Sequence, residues 1–102
     1  MESAWPGVEH VLAAPTRLVR PASDEFRQAG LALLHVLSPG RGRLVLDLSG
    51  TDDADSVGIA ALITLRRRAR ATGAHVILRG VTPAFQELLR MARLDGQFET
   101  EP

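Results

Sequence analysis

Apolar residues follow two different rhythms along this chain. Phe26, Ala29, Leu33, Val36 and Leu37 recur at intervals of three and four, which predicts a helix from about Ser23 to Leu37. Arg43-Leu44-Val45-Leu46-Asp47-Leu48 is instead a short, bounded apolar run, the pattern of a buried strand. The helical period returns from Ser56 or Val57 to about Thr72. Its first half (Val57, Ile59, Ala60, Ala61, Leu62, Ile63, Leu65) is apolar nearly all round, which calls for deep burial. Its second half carries Arg66, Arg67, Arg68 and Arg70, and Gly73 stands where a helix-terminating glycine belongs. His75–Arg79 forms a second buried strand. Thr82 then caps a third helix that opens on Pro83, with Phe85, Leu88, Leu89 and Ala92 as its stripe.

The remaining stretches are less periodic. Residues 1–7 are polar and turn-rich and are expected to be a flexible N-terminus, leaving residues 8–100 as one domain. Val8–Ala13 and Thr16–Arg20 are short extended candidates on either side of Ala14-Pro15, a hairpin-like start. Pro21 with Asp24 and Glu25 marks a helix N-terminus, and Ser38–Gly42 has the composition of a loop. Leu94–Thr100 is short, with Phe98 as its last anchor. Strands alternate with helices, so the expected architecture is α/β, a small mixed or partly parallel sheet with packed helices.

Composition narrows the chemistry. Twelve basic residues balance twelve acidic ones in 102 residues, whereas nucleic-acid binders usually carry a basic excess. The absence of cysteine excludes disulfides, thiol catalysis and thiolate metal sites. All twelve basic residues are arginine, so Walker-type phosphate loops and Schiff-base chemistry are excluded as well. No apolar run approaches the roughly 18 residues of a membrane span, and the N-terminus has no signal pattern. The expectation is a cytoplasmic domain.

In open α/β sheets, sites lie beyond the carboxyl ends of strands, where loops meet helix N-termini. Here that place is Ser49–Gly58. A helix N-terminus favours an anion, yet Asp52, Asp53 and Asp55 would repel a free phosphate, and Ser56 offers a hydroxyl at the helix start. Three readings fit. Asp55 or Ser56 is an ordinary helix cap. The three acids hold a divalent cation, although the calcium-loop spacing is not present. Or Ser56 is covalently modified, in which case a phosphate takes the loop from roughly −3 to −5 in charge. The cap and the modified serine are compatible.

Other candidates have plain readings. Arg66, Arg67, Arg68 and Arg70 suit the solvated C-terminal end of a helix, though such a cluster also suits nucleic acid or anionic lipid. His10, His35 and His75 fall on different elements, and none pairs at metal-ligand spacing. A Ser56–His75–Asp hydrolase lacks the glycine two residues before the serine that shapes a nucleophile elbow. No enzymatic activity, cofactor or metal is expected.

Arg43–Gly58, read as RLVLDLSGTDDADSVG, resembles a STAS domain, and most nearly the bacterial anti-sigma-factor antagonists. The likeness rests on the Leu-Val-Leu-Asp-Leu strand and on Asp55-Ser56-Val57-Gly58 opening an apolar helix. The Gly73 turn, the step Gly80-Val81-Thr82-Pro83 and the closing Leu94-Asp95 extend it. It covers residues 43–98 well and 8–37 loosely. What the resemblance implies is a partner switch: the serine matching Ser56 is phosphorylated by an anti-sigma factor that is a kinase of GHKL type. The unphosphorylated form binds that kinase and frees the sigma factor, phosphorylation blocks binding, and a phosphatase resets it. Partner-binding residues would be Asp52, Asp53, Asp55, Ser56, Val57 and Gly58, with Gly58 allowing close approach of the partner. Asp47, Ser49 and Thr51 would belong to the adjoining strand and loop. The domain is expected to be a monomer that neither binds nucleic acid nor enters a membrane. Val19 stands where those antagonists carry an aspartate, and the segment before the first helix is short. In this the chain is similar to other small STAS proteins, including the subunit of phospholipid-transport ABC transporters that binds the ATPase.

Overall fold

In the computed structural model, which describes residues 7–37 and 42–102, nine elements follow one another. They are β1 (Val8–Ala13), β2 (Arg17–Leu18), α1 (Ala22–Val36), β3 (Gly42–Asp47), β4 (Asp53–Ala54), α2 (Ser56–Thr72), β5 (His75–Arg79), α3 (Pro83–Met91) and β6 (Glu99–Glu101). A four-stranded sheet has the order β1-β3-β5-β6, and β2 and β4 form a separate two-stranded ladder. Every pairing is parallel, so the α/β expectation holds with a more uniform sheet than the mixed one envisaged. The expected flexible N-terminus falls outside the described residues except for Gly7. Of the Ser38–Gly42 loop, residues 38–41 also fall outside them, and Gly42 already belongs to β3.

The helices and central strands stand where the apolar rhythm put them, because each buries one face in a common core. Leu44, Leu46, Val76 and Leu78 point to the helix side of the sheet. There they meet Phe26 and Leu34 of α1, Leu62 and Leu65 of α2, and Phe85 and Leu89 of α3. The end of α2 follows its glycine: Gly73 takes φ 77°, and the N–H groups of Gly73 and Ala74 satisfy the carbonyls of Arg70 and Ala69. At α3, the Thr82 hydroxyl accepts from the Phe85 N–H at 3.1 Å, with Pro83 in the first turn.

One expectation fails. The hairpin-like start does not form, since β1 pairs with β3 and β2 pairs with β4. Ala14 extends the β1–β3 ladder by donating to the Asp47 carbonyl at 2.9 Å, and Pro15, which has no N–H to offer a returning strand, then turns the chain away. In the Leu94–Thr100 stretch Phe98 is buried as the expected anchor, and the chain then runs into β6, whose three polar residues show no strand pattern in the sequence.

Side chains hold β6 in place. On the sheet face away from the helices, Arg43 Nε bonds Glu9 Oε2 at 2.5 Å and Arg43 Nη2 bonds Glu101 Oε2 at 2.7 Å. Arg79 Nε reaches Glu101 Oε1 at 2.7 Å, so one lattice spans β1, β3, β5 and β6. Val45 and Ile77 share this face; both are buried, yet neither belongs to the helix-side cluster. Parallel sheets are usually covered on both faces, and here the stems of these long charged side chains supply part of the cover. The two bonds from Arg43 and Arg79 hold the Glu101 carboxyl below its ordinary pKa. Partial burial opposes the charge on Arg43, but its bonds to Glu101 and Glu9 outweigh that and raise its pKa.

Candidate functional site

The start of α2 is built by a capping aspartate and a glycine. Asp55 is extended (φ −93°, ψ −178°), and its Oδ1 accepts from the Gly58 N–H at 2.7 Å. Asp55 therefore caps the helix, and Ser56 is left as its first residue. Ser56 is exposed, and among the described residues its hydroxyl has no hydrogen-bond partner.

Beneath this turn runs the segment that precedes α1. The Asp55 N–H donates to the Leu18 carbonyl at 3.3 Å, and the Asp52 N–H donates to the Thr16 carbonyl at 3.0 Å. A Cβ at position 58 would lie 2.0 Å from the Leu18 carbonyl oxygen, closer than any side chain permits. Gly58 is buried, and its missing side chain lets the chain's own backbone approach the start of α2.

The loop's three carboxylates do not converge. Asp52 is exposed. Asp53 Oδ2 pairs with Arg17 Nε at 3.2 Å, while its Oδ1 accepts from the Ala54 N–H at 2.9 Å. Asp55 is committed to the cap. Among the described residues, no three His, Asp or Glu side chains are placed to hold a metal ion. Arg17 also makes the loop less negative than the −3 counted from the aspartates alone. Sequence reasoning missed Arg17, because it lies 36 residues from Asp53 and nothing local announces the pairing.

The surrounding framework is stitched by hydroxyls. Thr51 is completely buried, and its Oγ1 donates to the Pro15 carbonyl at 2.7 Å. Thr82 Oγ1 donates to the Thr51 carbonyl at 2.8 Å, tying the start of α3 to the same loop. At the end of β3, Asp47 Oδ1 accepts from the Ser49 N–H at 3.0 Å. The Ser49 bonds, with Arg79 nearby, hold the Asp47 carboxyl below its ordinary pKa. Val57 is half-buried, so the part of the candidate set open to solvent is Asp52 and Ser56, flanked by Asp53 and Asp55.

The family model described as Mlab, STAS domain matches residues 1–100. The chain belongs to the STAS family. STAS domains are in general not enzymes. No curated protein sequence matches the chain. Among solved structures, a STAS-domain anti-sigma-factor antagonist protein from Planctomyces limnophilus superposes with a TM-score of 0.76 at 21% identity, covering 88% of this chain and 79% of that one. A Thermotoga maritima protein assigned as an anti-sigma factor antagonist gives a TM-score of 0.73 at 17% identity, covering 88% and 77%. A sulfate transporter family protein from Wolinella succinogenes gives 0.71 at 13% identity, covering 87% and 70%. At these identities the likeness is one of fold. Among the described residues, no helix of this STAS domain is long and apolar enough to cross a membrane.

Proposed function

We propose that this STAS domain is an anti-sigma-factor antagonist, a phosphorylation-regulated binding module whose partner is an anti-sigma factor of GHKL kinase type. Ser56 is the phosphoacceptor, and Asp52, Asp53, Asp55 and Val57 form the rim of the docking surface, with Gly58 beneath it. One observation carries the reading: Ser56 is exposed at the first position of α2 with its hydroxyl unengaged, while Asp55 does the capping. A kinase can reach that oxygen, and modifying it costs the helix no cap. A phosphate would place about two further negative charges beside Asp52, Asp53 and Asp55. A hundredfold loss of affinity needs only about 2.8 kcal/mol, which an unpaired phosphate in a closed interface supplies. A phosphatase completes the cycle.

Incubation with a GHKL-type anti-sigma kinase and ATP, followed by intact-mass measurement, should add one phosphate to the wild type and none to Ser56→Ala. Pull-down with wild type and Ser56→Asp should lose that kinase in the variant. Absence of phosphate on the wild type and equal capture by both proteins would overturn the reading.

The matching family model is described as Mlab rather than as an antagonist, and Val19 stands where the resemblance to the antagonists implies an aspartate. These observations favour, as the second reading, a small STAS subunit that binds and regulates the ATPase of a phospholipid-transport ABC transporter. Capture of a transport ATPase by the wild type, with no kinase, would select it.

A further inference from the structure

We infer that the C-terminal half of α2 is a second docking ridge, and that it receives an acidic protein segment in which carboxylates flank an aliphatic side chain. Most arginines elsewhere in the fold are engaged. Arg17 pairs with Asp53, Arg20 with Asp24 and Arg90 with Glu87, and Arg43 and Arg79 are held in the sheet lattice. Arg66 donates to the Gln97 carbonyl at 2.6 Å and lies 5.1 Å from the centroid of the Phe98 ring, which fastens the segment ahead of β6. Arg67, Arg68 and Arg70 differ. All three are exposed, and among the described residues none of their guanidinium groups has a hydrogen-bond or ion-pair partner.

Their placement forms a ridge between two hollows. At about 100° per residue, Arg68 and Arg70 fall on opposite sides of Arg67. Arg68 rims a hollow of about 180 Å³ between α1 and α2, whose apolar lining is Leu31, Leu34 and Leu37. Arg70 rims the other, of about 290 Å³, with Ala69, Ala74 and Val76 as its apolar lining. Arg68 therefore stands beside leucine-lined space large enough for one aliphatic side chain, Arg70 beside the second hollow, and Arg67 on the crest between them. Arginine forks bind carboxylates in two-point fashion, and the hollow supplies the apolar anchor that charge alone lacks.

The same features disfavour a phosphate polymer. The Phe98 ring is buried under Arg66 instead of being offered for base stacking. With 12 acidic residues against 12 basic ones, no long-range field draws the chain to nucleic acid. The ridge also lies far from Ser56. Arg67 to Arg70 follow Ser56 by 11 to 14 residues along α2, about 17–21 Å, so a segment docked here leaves the serine face free.

The test is an amide NMR titration of the full chain with a blocked hexapeptide carrying two leucines between pairs of acidic residues. Oligo(dA) and phosphatidylcholine vesicles containing a quarter phosphatidylglycerol are titrated in parallel. The peptide should shift the signals of Leu31–Val36 and Arg67–Gly73, and added salt should weaken it. Combined Arg67→Gln, Arg68→Gln and Arg70→Gln should weaken binding at least about tenfold with melting unchanged, since all three side chains are exposed. Ser56→Asp should leave it unchanged, which separates the ridge from the serine site. Shifts that persist in the triple variant, no shift at millimolar peptide, or tighter binding to oligo(dA) or vesicles would overturn the inference.

Discussion

The carbonyl oxygen of Leu18 occupies the space that a side chain at residue 58 would need, 2.0 Å from the position of its Cβ. The obstructing atom is backbone, fixed by the β2–β4 ladder and by the bond from the Asp55 N–H. Gly58→Ala must therefore push the start of α2 off the segment below it. The expected cost is about 2 kcal/mol or more in urea unfolding. Gly50→Ala is the control: nothing lies within 4 Å of its Cβ position, and the change should stay within about 0.5 kcal/mol.

Asp55 and Ser56 are adjacent but do different work, and stability separates them. Asp55→Ala removes the bond to the Gly58 N–H and should cost about 1 kcal/mol. Ser56→Ala removes an exposed hydroxyl without a partner and should change unfolding by no more than about 0.5 kcal/mol. Equal losses from the two variants would mean that the serine, too, helps to cap the helix.

Thr51 joins the Pro15 turn to the start of α3. Thr51→Val keeps the volume but removes the bond from the buried Thr51 hydroxyl to the half-buried Pro15 carbonyl, so a loss of about 1 kcal/mol is expected. Hydrogen exchange should quicken at the amide of Asp52, which bonds the adjacent Thr16 carbonyl.

The lattice around Arg43 makes stability depend on pH in the acid range. The Glu101 carboxyl is held below its ordinary 4.5 in the folded state, by the bond from Arg43 and then by that from Arg79. Above that value both states are ionised and the full stabilisation is present. As pH falls through 4.5 the unfolded chain takes up the proton first, and the stabilisation drains away until the folded carboxyl titrates too. Asp47 acts in the same sense from its ordinary 3.8. Glu101→Gln should lower Tm near neutrality and flatten the decline between about pH 5 and pH 3. A variant whose Tm falls with pH as steeply as the wild type would contradict this account.

What could be read along the chain depended on the reach of the interaction. The helices and the two central strands were legible because their burial repeats every 3.6 or two residues, as Phe26 to Leu37 and Leu44 to Leu48 illustrate. The turn at Gly73 and the cap at Thr82 were legible for local chemical reasons. β4 and β6 were not, and β2, though inside the extended candidate Thr16–Arg20, could not be given its partner, since two or three residues carry no period and their pairing is decided by neighbours from elsewhere in the chain. At the candidate site, Ser56 and its acids were evident from their spacing. The Arg17–Asp53 pair and the Leu18 support under Gly58 were hidden, being contacts across roughly 40 residues.

The Arg43 lattice has a consequence for the order of folding. Its four charges come from positions 9, 43, 79 and 101, so it closes only when both outer strands have joined β3 and β5. The compact stretch from β3 through α2 to β5 makes a natural nucleus, with the flanking strands arriving later. Substitutions at Glu9 or Glu101 should then accelerate unfolding and leave the refolding rate almost untouched.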